Sequence, residues 1–391
     1  MTASHSHWIW AVACLGLGFI VNRCAVAPGS QLSTPQRGTD HPTQAQDRPT
    51  EGPPTPFAVF APNQEPDSIA ALAQTLCPGE SQRVGIAKTA REALDSRRDV
   101  LVLFLDRTAT GHFESPEFQA ELKKKKVIGI GYGAAQLFGA LGLEIGGEHC
   151  TRRLIDPPPQ MRILRTAPVP QWSVDTITAF RIDSNARPTG PEKDYNLMMY
   201  LPSKDERTRF VEAIARDSRD GAYASIVKQN NYILVGPAAP ATSWTAEYRS
   251  FFLALANGLA KAPQVPFSTA TWEVTRPGQY EFDLAQGRST DESPRKEFYF
   301  RFTSPVKFSA VLEHTGSRVM MMIFQGKRQL HWIRKDARNG ETLRIEVNIT
   351  EEDIKRAGTT LWILNVDNFD STSPAHCKLR IEQSLSSEPV R

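Results

Sequence analysis

The stretch Val127-Ile128-Gly129-Ile130-Gly131-Tyr132-Gly133-Ala134-Ala135-Gln136-Leu137 reads as a short buried strand that turns directly into a helix. Its glycines fall into the frame small-x-nucleophile-x-Gly, with Gly129 and Gly133 flanking and Gly131 at the centre. At such an elbow the central residue is held in a strained backbone conformation so that its side chain projects above the sheet. Glycine adopts that conformation without strain and carries no attacking atom. A rival frame, Gly129-x-Gly131-x-x-Ala134, has the form of a dinucleotide fingerprint. That fingerprint belongs after the first strand of a sheet. Here at least three strands precede it, and Glu148 comes before any strand that would present the expected acid.

Working outward, apolar runs alternate with helical stretches on the N-terminal side of the elbow. Residues 57–61, 84–87 and 99–105 read as strands, and 66–76, 89–96 and 115–126 as helices. The continuous Val/Leu/Phe run at 99–105 has the character of a central strand covered on both faces. On the C-terminal side, 134–141 is a helix, 196–201 a strand, 206–217 a helix, 223–235 a strand pair and 245–260 a helix. The alternation predicts an α/β doubly wound, flavodoxin-like parallel sheet over residues 57–262. Beyond residue 263 the pattern becomes all β, with strands expected at 271–275, 279–284, 297–303, 307–314, 319–324, 342–349, 360–366 and 377–382. Their spacing and turn residues predict a jelly-roll-like antiparallel sandwich over 263–391.

The segment from Ile130 to Leu137 resembles the class I glutamine amidotransferase-like superfamily, whose members read Ile-Cys-His/Ala-Gly before a short helix carrying Gln-Leu-Leu or a similar triplet. The likeness extends to Gly142-Leu143 and to the segment from Tyr223 to Gly236 before the Thr245-led helix. The resemblance implies a ligand cleft at the elbow, with Gly131 in the cysteine's place and Tyr132 where some members carry histidine. It implies that Glu65, just after the first strand, supplies the carboxylate, that Gln136 lies on the elbow helix facing the site, and that His149 approaches it. Without a thiolate no covalent intermediate forms. The β region resembles the pre-peptidase C-terminal class of bacterial accessory domains, in Pro277-Gly278-Gln279-Tyr280-Glu281-Phe282-Asp283-Leu284 and in the segment from Leu361 to Val366. That implies an accessory or adhesive role without chemistry of its own.

Residues 8–21 form an apolar, glycine-containing run suited to a signal-peptide core and shorter than a membrane helix requires. Residues 1–27 are therefore expected to be a signal peptide, or an anchor attaching the chain to a membrane through residues 8–22. Residues 28–56, rich in Pro, Thr, Gln and Ser, read as a flexible tether. Export to the periplasm, cell envelope or medium follows. The balance of 46 Lys plus Arg against 43 Asp plus Glu leaves +3, too little to indicate a nucleic-acid partner. The one basic run, Lys123 to Lys126, is expected to end the helix at 115–126. Cys77, Cys150 and Cys377 lack the spacing of a metal ribbon, so neither a metal nor a cofactor is expected. In an exported chain Cys77 and Cys150 are candidates for a bridge, among three possible pairings.

Further candidates have plainer readings. His112, Glu114 and Glu117 sit where open sheets bind ligands, and equally suit a solvated loop and helix start. Asp367, Asn368 and Asp370 have the ligand types of a calcium site without its spacing, and fit a plain turn. Trp272, Trp332 and Trp362 suit either a sugar platform or a sandwich core. Together these readings predict a non-catalytic exported binding or scaffold protein whose sandwich contacts an envelope protein or a glycan. The alternative is a hydrolase in the same cleft that activates water through Glu65 or His149.

Overall fold

The structure, a computed structural model, describes residues 55–147, 150–152, 160–170, 172–182, 195–286, 294–325, 332–337, 340–357, 361–368 and 373–385. The leader, most of the tether, Glu148, His149 and Asp370 lie outside the described residues. Residues Gly52–Arg391 group as one compact unit. Among the described residues no helix is long and apolar enough to cross a membrane.

Strands and helices alternate up to the elbow: β1 (Phe57–Phe60), α1 (Pro66–Leu76), β2 (Gly85–Ala87), α2 (Ala90–Asp95), β3 (Val100–Phe104), α3 (Pro116–Leu122), β4 (Lys126–Ile130) and α4 (Tyr132–Ala140). The helix starts are written locally. Thr89 and Ser115 accept from the backbone N–H groups of Glu92 and Phe118, and proline opens α1 and α3. Such caps contribute about 1 kcal/mol each. There follow β5 (Cys150–Arg152), β6 (Gln160–Arg165), β7 (Thr176–Arg181), β8 (Leu197–Tyr200), β9 (Glu212–Asp217), β10 (Tyr223–Gln229), β11 (Tyr232–Val235) and α5 (Ala246–Lys261), which Thr245 caps.

These strands form one large mixed sheet in the order β2-β1-β3-β4-β11-β10-β9-β6-β7, with β8 branching from β10 to β5. Pairing is parallel from β2 to β11 and antiparallel from there to β7. The parallel part is sandwiched between helices. Leu72 and Leu76 of α1 and Phe251, Phe252 and Leu255 of α5 pack on one face, and Leu94, Leu122, Leu137 and Phe138 of α2, α3 and α4 on the other.

The antiparallel half corrects the expectation of a wholly parallel sheet. The predicted helix at 206–217 is instead a short 3-10 turn, Glu206–Arg209, followed by β9. β9 supplies the partner that the largely buried β10 needs, and tertiary pairing overrides local propensity. The basic run is corrected as well, because α3 ends at Leu122 and Lys126 opens β4. Lys126 is buried and donates to the carbonyls of Ala260 and Ala262 at 2.8 and 2.6 Å, closing the C-terminal end of α5. Lys125 donates to Ser96 O at 2.8 Å, and Lys123 lies 5.2 Å over the ring of Phe267.

The C-terminal part contains β12 (Gly278–Leu284), β13 (Arg295–Arg301), β14 (Val306–Gly316), β15 (Val319–Gln325), β16 (Trp332–Ala337), β17 (Leu343–Ile349), α6 (Glu351–Ala357), β18 (Leu361–Asn368) and β19 (Ala375–Leu385). Two antiparallel four-stranded sheets, β12-β19-β14-β17 and β13-β18-β15-β16, share a core that includes Phe300, Phe308, Met321, Trp362 and Leu379. The expected strand at 271–275 is absent among the described residues, and β16 was not foreseen. Trp272 stacks on Tyr299 at 4.2 Å between the two parts of the molecule, and Trp362 is core, so neither forms an exposed sugar platform. The side chain of Trp332 is outside the described residues.

Lys296 of the sandwich pairs with Glu206 of the α/β part at 2.5 Å, and near this junction each part closes an ion pair of its own, Arg207 with Asp205 bidentately at 2.8 and 2.6 Å and Arg295 with Asp367 at 3.1 Å. Asn368 donates to the carbonyls of Ala285 and Ser373 at 2.9 and 2.8 Å. Both Asp367 and Asn368 are thus engaged in protein contacts rather than grouped as cation ligands, and no cluster able to hold a metal occurs among the described residues.

All three described cysteines are free. Cys77 packs on one face of the large sheet, Cys150 lies in the core of the other, and Cys377 is inside the sandwich. The bridge between Cys77 and Cys150 is therefore corrected, since the sheet stands between them. Burial, helped by the charge of Asp283, pushes the Cys377 thiol up to about 12. Iodoacetamide at mildly alkaline pH is expected to leave Cys377 unmodified in the folded chain. After unfolding without reductant, all three should be modified, as read by peptide mass spectrometry.

Candidate functional site

The elbow is built around a glycine that has no room for a side chain. Gly131 lies between β4 and α4 with φ 89 and ψ −176, a region that only glycine populates readily. Its N–H donates to Val235 O at 3.1 Å, and its carbonyl accepts from Ala135 N at 3.2 Å. A Cβ at this position would stand 2.9 Å from Leu105 O and 3.3 Å from Ala238 Cβ. The flanking glycines are fixed by packing. A Cβ on Gly129 would meet Ala134 and Phe138 at 2.7 Å, and one on Gly133 would meet Asp106 O at 2.0 Å. The pattern read from the sequence thus records how closely α4 is pressed against β3 and β4.

Around this bend the carboxyl ends of the parallel strands enclose a cleft of about 520 Å³. Asn63, Gln64 and Glu65 come from the end of β1, Asp67 and Ser68 from α1, Asp106 from the end of β3, Gly131 and Tyr132 from the elbow, and Ala238 and Thr242 from beyond β11. The chain leaves β1 to one face of the sheet and β3 to the other, which opens the crevice between them where open α/β sheets bind ligands.

Asp106 gathers four hydrogen bonds at the edge of the cleft. Its Oδ1 accepts from Asn63 Nδ2 at 2.9 Å, Thr108 Oγ1 and N at 2.8 Å, and Ala109 N at 3.1 Å. Burial pushes its carboxyl up, but these hydrogen bonds outweigh it and hold the pKa below the ordinary carboxylate value. The Ser68 hydroxyl is committed to structure: it donates to Gln64 Oε1 at 3.2 Å and accepts from Ala241 N at 3.0 Å. Glu65 is exposed at the rim, where its carbonyl accepts from the first turn of α1.

Of the residues singled out in the sequence, Glu65, Gly131 and Tyr132 come together here, while Gln136 does not. Gln136 lines a second cleft of about 440 Å³ with Arg107, Glu114, Gln119, Tyr132 and Gly147. The Arg107 guanidinium lies 4.6 Å over the Tyr132 ring, so this pair stands at the boundary of both clefts. His112 packs edge-on against Phe60 at 5.3 Å, and Glu117 pairs with Arg91 at 2.8 Å, both away from the lining. His149 is outside the described residues. Sequence reasoning missed Asn63 and Asp106, although an acid immediately after the continuous apolar run of β3 is a signal that such an edge carries polar ligand contacts.

No family model matches the sequence, and no curated protein matches it. Among solved structures, the pre-peptidase C-terminal domain of a collagenase from Bacillus anthracis aligns with 29% of this chain and 100% of its own, at 12% identity and TM-score 0.22. A de novo designed double-stranded β-helix aligns over 28% of this chain and 100% of its own, at 13% identity and TM-score 0.17. The Yersinia pseudotuberculosis-derived mitogen covers 30% of this chain and 92% of its own, at 12% identity and TM-score 0.19. Scores this low carry no argument about kinship or function.

Proposed function

We propose that the chain is an exported, non-catalytic binding protein, with a degenerate class I amidotransferase-like domain at 57–262 and a β-sandwich accessory domain at 263–391. The observation that carries this reading is the backbone at Gly131, whose conformation and neighbours leave no place for a nucleophilic side chain. The parallel order β2-β1-β3-β4-β11 supports the flavodoxin-like assignment, since it runs second, first, third, fourth, fifth along the parallel strands. The jelly-roll assignment is supported by the way β12 to β19 pass between the two sheets at every connection except the β15–β16 hairpin. The apolar run at 8–21 supports export.

The cleft retains the means to bind. Its lining includes three carboxylates, Glu65, Asp67 and Asp106, with Asn63, Gln64 and the rings of Tyr132 and Tyr195, and no lysine or arginine among the described lining residues. Acceptors dominate, so the ligand that suits it presents N–H or O–H donors. The sandwich then serves contact with an envelope protein or glycan through its exposed polar face.

The purified chain, its Glu65→Gln variant and its Gly131→Cys variant are expected to show no glutaminase, peptidase or esterase turnover. Installing the thiol should not restore chemistry, because its Cβ meets Leu105 O. Turnover in the parent that Glu65→Gln abolishes would establish the hydrolase alternative instead.

A further inference from the structure

We propose that the second cleft binds a short peptide with free ends, holding the peptide's terminal carboxylate at Arg107 and its terminal ammonium at Glu114. The inference does not rest on what the first cleft binds.

The chain sends consecutive residues to different clefts. Asp106 lines the first and Arg107 the second. The Arg107 guanidinium is stacked 4.6 Å over the Tyr132 ring. The N–H donors of a guanidinium lie in its own plane, so stacking does not consume them, and one braced on a ring meets a carboxylate with little further ordering. Glu114 follows the 3-10 turn Thr110–Phe113 and precedes α3. It is exposed and has no ion pair among the described residues, so the two opposite charges of this cleft stand apart. A compact anion or cation satisfies one of them and is repelled by the other. A ligand with opposite charges at separate ends satisfies both.

The rest of the lining suits the peptide bonds of such a ligand. Gln119 and Gln136 each carry a carboxamide, which donates and accepts as a peptide group does. Gln136 lies one turn after Tyr132 on the same face of α4, and Gln119 Nε2 donates to Glu114 O at 3.5 Å, so one carboxamide accompanies each charge. Phe113 and Leu137, both buried, contribute apolar surface, which keeps water from one side of the ligand and strengthens its charged contacts. A volume of about 440 Å³ admits a few small residues and no folded partner.

The test is isothermal titration of the full chain with trialanine, N-acetyl-trialanine and trialanine amide. Trialanine is expected to bind, and blocking either end to weaken binding about tenfold or more, the scale of a hydrogen bond between charged groups. Arg107→Met should weaken trialanine by the same factor and bind trialanine and its amide equally, while still discriminating against the acetylated form. Glu114→Gln should reverse that pattern. Both side chains are exposed, so both variants are expected to melt where the parent does. No heat with trialanine at millimolar concentration, a parent that ignores the blocked ends, or variants that lose both forms of discrimination alike would overturn the proposal. So would loss of trialanine binding in Glu65→Gln with Arg107→Met unaffected, which places the peptide in the first cleft. Should a variant not fold, the blocked peptides on the parent decide alone.

Discussion

Methionine at position 207 is expected to destabilise the full chain by about 3–5 kcal/mol, the range found when one partner of a buried ion pair is removed. Arg207 and Asp205 are each almost fully enclosed, and two short hydrogen bonds join them, with a third running from Arg207 to Tyr200 O at 2.8 Å. Burial pulls the arginine down, but the hydrogen bonds and charge of Asp205 outweigh it and raise its pKa. Burial pushes Asp205 up, and the bonds from Arg207 more than reverse that, leaving it below the ordinary value. A carboxyl depressed by folding stabilises above its unfolded pKa, and that contribution is lost as pH falls through the folded one. In Arg207→Met the side-chain bonds and charge are lost while burial, the residue-207 N–H and the Arg295 charge remain, so Asp205 is depressed less and acidification should narrow the gap to the parent. Urea denaturation at neutral and acid pH checks both points. Replacing Asp205 and Arg207 together by Leu and Met should cost far less than either single change, because no uncompensated charge is left inside.

Alanine at position 133 is the second large effect. Its Cβ would stand 2.0 Å from Asp106 O and 2.9 Å from both Asp106 C and Leu105 Cβ, so backbone rather than a flexible side chain must yield. Overpacking of this kind costs about 3 kcal/mol. The first turn of α4 must also retreat from the end of β3, where Gly133 N donates to Leu105 O at 3.0 Å. Gly111→Ala, whose Cβ would meet nothing within 4 Å, is the control and should change stability by no more than about 0.5 kcal/mol. Thermal denaturation of the two variants makes the comparison.

What could be read from the sequence is what neighbouring residues decide. The starts of α2, α3 and α5 are set by Thr89, Ser115 and Thr245, each followed three residues on by the N–H it accepts from. The buried β3 and the elbow at Gly131 were legible for the same reason. In the antiparallel half β8 and the pair β10 and β11 were legible, but β9 was not, because it owes its existence to β10 and β6, which lie elsewhere in the chain. Residues 271–275 alternate like a strand, yet Trp272 is spent on Glu144 and Tyr299. In the cleft, Tyr132 was found from its place beside Gly131 in the elbow, and Glu65 from what the resemblance implies just after the first strand. Asp106 went unremarked because its importance comes from four donors converging on one oxygen, and Asn63, one of those donors, lies 43 residues away.

The strand order has a mechanical consequence. The first described strand, β1, runs between β2 and β3, and the last, β19, runs between β12 and β14. Neither end of the fold is an outer ribbon, so trimming from either side extracts the middle of a sheet, and tension applied between the ends must shear two ladders at once instead of unzipping one.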